Sequence, residues 1–174
     1  ERMSITAGQV KTAVARVDPT ALSAGGQNIA SILEAWDGDM QPELIAPTVF
    51  AAVVQVLTKE VVPFIFGELG AEILGGGRGG PAHWGNLRVL LFQEAATGNM
   101  DGPVAKMLPP GSKWESLFAD AVNGAAELLL ATLGDPDSSD WRWGTTHRTA
   151  PTHPLARLDP SLAQMLKPPS VPAG

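Results

Sequence analysis

At 174 residues, with 44% hydrophobic and 17% charged side chains, the chain is long enough to bury roughly 70% of its unfolded surface and too apolar to remain disordered. A formal net charge of −6, with twelve Lys and Arg scattered singly, disfavours nucleic acid as a partner, because a phosphate backbone would be repelled. Zero cysteines remove disulfides, thiol nucleophiles and thiolate metal sites, and no uninterrupted apolar run reaches the about 20 residues of a membrane span, since Lys59, Glu60 and Pro63 break the best one.

Nineteen glycines and fifteen prolines predict helices that are interrupted often. The first segment, about Ser4–Val17, is short of strong apolar periodicity, and Asp18-Pro19 closes it with a cap followed by proline, a pair suited to a new helical start. After Gly25-Gly26, the residues Ile29, Ile32, Leu33 and Trp36 fall at i, i+3, i+4 and i+7, one face of a helix that Asp37-Gly38 ends. Pro42 and Pro47 open an apolar stretch through Phe66. Its β-branched content admits a strand, yet a length of about 16 residues favours a buried helix kinked near Pro63.

Gly75–Gly80 is the plainest loop in the sequence. It lacks the Lys-Ser/Thr pair that would make it a phosphate cradle, being followed by Pro81-Ala82-His83-Trp84. A helix is expected over about Pro81–Ala96, stopped by Gly98, and a second loop over Asn99–Gly111. Ser112-Lys-Trp-Glu115 reads as a capping box, with the apolar stripe Trp114, Leu117, Phe118, Ala121, Val122, Ala125, Leu128, Leu129 and Thr132 behind it and Gly134 with Pro136 at its end. The run DPDSSD caps one short turn carrying Trp141 and Trp143. Beyond His147 the prolines leave room only for a brief helix after Asp159-Pro160. The expected fold is mainly α: one irregular multi-helix bundle over residues 1–174, with long Gly/Pro-rich loops and an extended, Pro-rich docking tail over 135–174.

Reactive chemistry is sparse. None of the serines lies in a G-x-S-x-G turn or an S-x-x-K motif. His147 and His153, with Asp140 or Asp135, can be drawn as a zinc site, but their spacing of six residues is neither the i, i+4 helical pair nor a zinc-finger interval. Asp135, Asp137 and Asp140 lack the glycine and distal glutamate of a calcium loop, and Asp37 and Asp39 read as a turn and a cap. Burial against a core accounts better for Trp36, Trp84, Trp114, Trp141 and Trp143 than an aromatic ligand cage. No catalytic, metal or cofactor residue is assigned on these grounds.

The stretch WRWGTTHRTAPTHPL, Trp141–Leu155, taken with the preceding helix and the Gly134-Asp135-Pro136 break, resembles the W-x-W-G-x-x-H and H-P-L stretch of the penicillin acylase family, amidohydrolases that use an N-terminal nucleophile. LEAWDGDM, Leu33–Met40, resembles that family's L-x-x-W-D-G-x-M segment, and KPPSVPAG, Lys167–Gly174, resembles the lead-in to its glycine-rich stretch. The resemblance implies an exported, periplasmic or extracellular precursor that cuts itself into two chains. The cut exposes a Ser, Thr or Cys whose own α-amino group is the base. Substrates of the family are linear amides: penicillins, cephalosporin side chains, acyl-homoserine lactones or lipopeptides, some of them in antibiotic biosynthesis.

Glu1 carries no nucleophilic oxygen or sulfur, and the family's αββα sandwich strands and oxyanion donors find no counterpart here, so the chain is read as an internal helical part of the large chain, inactive by itself. The family's Q-x-D-x-x-S region has its nearest counterpart in Gln9–Val14, where Lys11 replaces the acid, and no calcium site is carried over. On this reading Trp141, Arg142, Trp143, Gly144, His147 and His153 form a structural motif. Gly144 permits a tight turn, the indoles supply buried surface, and Arg142 and His147 donate to backbone carbonyls of a crossing segment. The partners are then the remaining segments of the parent polypeptide, or a second copy held through apolar surface that the parent would cover. The alternative is a stand-alone helical interaction domain with no enzymatic activity.

Overall fold

The computed structural model describes residues 5–70, 80–136, 139–149 and 171–172, and within them most helix boundaries fall at caps and breakers. Helix α1 spans Ile5–Val14. Its face is built of small residues: Ala7, Val10, Ala13, Val14 and the following Val17 are all buried, so a stripe too modest to stand out in the sequence still packs. Asp18 then caps the 3-10 turn Pro19–Ala21, its carboxylate accepting from the Thr20 amide at 2.9 Å. That amide, with the Thr20 hydroxyl, holds the Asp18 carboxyl below its ordinary range.

Helix α2, Ala24–Ala35, is capped by the Ser23 hydroxyl, which accepts from the Gly26 amide at 3.1 Å. The two glycines expected to precede this helix sit inside its first turn. A Cβ at Gly26 would displace the Asn123 side chain of a later helix. Asn123 accepts from the Ser23 amide at 2.9 Å and donates to the Ala21 carbonyl at 3.1 Å, closing the gap between the two elements.

Helix α3, Ala46–Phe66, runs 21 residues, longer than the sequence predicts. Pro47 occupies its first turn, where a missing N–H costs nothing, and Pro63 is accommodated near the C-terminal end, with the Gly67 amide bonding to the Pro63 carbonyl. Helix α4, Gly80–Thr97, packs along α1 and ends at Gly98, whose φ of 69° only glycine adopts without strain. Gly75–Gly79 lie outside the described residues.

Helix α5, Trp114–Leu133, forms as expected but without the capping box. Lys113 occupies the cap position and gives no side-chain bond; the Ser112 hydroxyl instead donates to the Pro109 carbonyl at 2.7 Å. Glu115 turns to Arg16 of the first helix–turn connection, forming an ion pair at 2.8 Å. The capping box thus yields to a carbonyl three residues back for Ser112 and, for Glu115, to a partner brought near by the fold. The stripe also ends early. Trp114, Phe118, Ala121, Val122, Ala125 and Leu129 are buried, whereas Thr132 is exposed and bonds back to the Leu128 carbonyl at 2.7 Å.

The centre of the fold is the packing of α3 on α5, with α2 against the same α5. Val49, Val53, Leu57 and Val61 of α3 lie in one apolar cluster with Phe118, Val122 and Ala125 of α5, and Val56 approaches Gly124 so closely that a Cβ there would press on its methyl group at 3.0 Å. By length and composition both α3 with its following turn, Ala46–Leu69, and α5 could cross a membrane, so Lys59, Glu60 and Pro63 do not interrupt the apolar helix as the sequence implies. In this molecule the two helices are the core pair, each with polar residues on its outer face.

After α5 come a 3-10 turn at Ser139–Trp141 and the short helix α6, Trp143–Thr146. Strand β1, Arg148–Thr149, then pairs antiparallel with β2, Val171–Pro172, so the chain's last described residues return to the end of the bundle. The helix expected after Asp159-Pro160 lies outside the described residues. The architecture is mainly α, a multi-helix bundle with irregular connections.

Candidate functional site

The corner at 141–148 is built from three consecutive devices. Gly134 ends α5 with a φ of 75°, its amide bonding to the Leu130 carbonyl at 3.1 Å. That turn leaves the Gly134 carbonyl free to take the Trp141 indole N–H at 3.2 Å, which lets an indole only 1% exposed enter the core without orphaning its donor. Helix α6 then begins at Trp143. The first amides of any helix lack intrahelical acceptors, and here they find them on another segment: Trp143 N donates to the Leu44 carbonyl and Gly144 N to the Pro42 carbonyl, each at 2.8 Å.

The Thr146 hydroxyl meets that of Thr48, in the first turn of α3, at 3.0 Å, adding a contact between residues 98 positions apart. His147 closes α6 with its amide on the Trp143 carbonyl at 2.7 Å, and its ring stacks on the Trp143 indole with centroids 4.3 Å apart and planes 15° from parallel. Arg148 reaches back to the Gly144 carbonyl at 3.4 Å.

The corner's bonds to Pro42 and Leu44 come from its backbone, while the side chains of Arg142 and His147 are exposed. Gly144 is buried within α6, its amide on the Pro42 carbonyl, and it is not among the glycines with positive φ. Trp141 is the fully buried member of the pair and Trp143 is partly exposed. His153 lies outside the described residues.

The loop on which the corner rests is continuous with the LEAWDGDM segment. Trp36 ends α2, buried, with its indole N–H on the Asp39 carbonyl at 2.7 Å and its ring 5.5 Å from that of Phe50. Asp37 accepts the Asp39 amide at 3.0 Å across Gly38, whose φ is 95°, so this carboxylate makes a turn as its sequence context indicates. Asp39 accepts from the Gln41 amide group at 2.5 Å through one oxygen, while its other oxygen is buried without a hydrogen-bond partner. Lys11, standing where an acid was looked for, donates its ammonium to the Trp36 carbonyl. Three stretches far apart in sequence, around Lys11, Trp36 and Trp143, thus meet at one end of the bundle.

Two side chains escaped the sequence reading. Glu94 of α4 is buried, and its carboxylate accepts the Val104 amide at 3.1 Å and the Ala105 amide at 2.8 Å, fixing the loop after Gly98. Gly102 must be glycine because a Cβ there would fall on the Glu94 carboxylate. The only sequence signal was a lone acid on an otherwise apolar helix face. Asn123, whose role is described above, gave no signal at all.

Trp114 repeats the pattern of the other buried indoles, its N–H on the Asn99 carbonyl at 2.9 Å. Among the described residues no group of three His, Asp or Glu gathers in metal-binding geometry. Asp135 and Asp140 lie beside the turns that flank the corner, while Asp137 falls outside the described residues. His83 and Trp84 fall in the first turn and a half of α4.

The arrangement is that of a helical scaffold in which buried tryptophans fasten turns, and in which one helix end is welded to a loop from the other half of the chain. The penicillin amidase family model matches residues 2–174, and the chain belongs to that family. No curated protein sequence matches it. Family membership gives the chain an amidohydrolase-like origin.

Proposed function

We propose that this chain is the helical scaffold portion of a penicillin-amidase-type enzyme that hydrolyses linear amides, and that the reacting nucleophile is contributed by residues other than those described here. The observation that carries the reading is the use to which the family-like motifs are put. Trp141 and Trp36 are consumed by packing and by carbonyl bonds, and the 143–146 helix end is joined to the 42–44 loop.

Hydroxyls along the helices point the same way. Those of Thr12, Ser31, Thr58 and Thr132 each donate to the carbonyl one turn earlier, so their protons are held by the chain's own backbone. The partner of the scaffold is then the remainder of the amidase, and export to the periplasm or outside the cell follows from the family's habit.

The test is the mass and N-terminal sequence of the natural gene product, together with an amide-hydrolysis assay on the purified 174-residue chain. A larger precursor that cleaves itself to expose Ser, Thr or Cys, with an inert isolated chain, is the expected result. Turnover of an acyl anilide by this chain alone overturns the reading. A natural product of just this length without activity favours a stand-alone interaction domain.

A further inference from the structure

We draw no further inference here: the strongest candidate, the groove of about 530 Å³ between α1 and α2 floored by Val14, Val17, Leu22 and Leu33, carries nothing, because Lys11, Thr12, Gln27 and Ser31 on its rim are engaged by the chain's own carbonyls and nothing in the structure shows what covers it.

Discussion

Replacing Trp141 by alanine tests whether the corner is structural. The side chain is 1% exposed, so nearly all of its surface is withdrawn from water. A buried tryptophan covers about 200 Å², and at about 25 cal/mol per Å² that is an upper figure near 5 kcal/mol. Truncation also leaves the Gly134 carbonyl without its indole donor, worth about 1 kcal/mol, while partial collapse of the cavity offsets some of the loss. The expected cost is about 3 to 5 kcal/mol, or a fall in Tm of roughly 6 to 20 °C for a chain of this size.

Trp143, partly exposed and stacked on an exposed His147, should lose somewhat less on the same area argument. Trp141→Phe, which keeps most of the apolar area and drops the N–H, should cost less than Trp141→Ala by about 2 kcal/mol or more. Urea unfolding followed by far-ultraviolet circular dichroism gives all three values. A larger loss at Trp143 than at Trp141, or a Trp141→Ala cost below about 1 kcal/mol, would show that the corner does not hold the bundle end in the way described.

Glu94→Gln should destabilise by about 2 kcal/mol, since each carboxylate oxygen takes one buried amide and glutamine offers a single oxygen, setting its NH2 group against the other N–H; faster hydrogen exchange at Val104 or Ala105 is the direct readout, and unchanged exchange at both would remove the clamp role. Gly26→Ala should cost about 1 to 3 kcal/mol by driving Asn123 off the Ser23 amide, and a pairing with Asn123→Ala should recover part of it in a double-mutant cycle. Burial pushes the Glu60 carboxyl up, and Asp120 on the facing helix adds to it. A raised folded pKa means that the native state binds the proton more tightly, so this contribution is present in acid and is lost as pH rises through the folded value. Glu60→Gln should therefore be more stable than the parent at pH 7.5, with the advantage shrinking as pH falls toward about 4.3; an advantage independent of pH would exclude the charge as its cause. Glu115 behaves oppositely: its own amide and the Arg16 guanidinium hold its carboxyl low, so its contribution is present at neutral pH and disappears as pH drops through the lowered value. Arg16→Met should shallow that acid limb of the stability profile, and an unaltered limb would mean that the ion pair contributes nothing measurable.

Much of the bundle is written locally. The i, i+3, i+4, i+7 spacing of Ile29, Ile32, Leu33 and Trp36 and the long stripe behind Trp114 set helix positions, and Asp18-Pro19, Gly98 and Gly134 set where the chain turns, because periodicity and φ preference act within a few residues. The burial of Trp36, Trp114 and Trp141 followed from their places at helix ends on apolar faces. What only the tertiary structure decided was the choice among competing partners. Ser112 and Glu115 have the spacing of a capping box, yet the Pro109 carbonyl and Arg16 took them; the first amides of α6 needed acceptors, and the Pro42 and Leu44 carbonyls supplied them. Buried Glu94 and the indole donors find partners within fifteen residues, whereas the amides that open α6, the Thr146 hydroxyl and the Glu115 carboxylate are met by segments about a hundred residues away, and only packing in space brings those within the reach of a hydrogen bond.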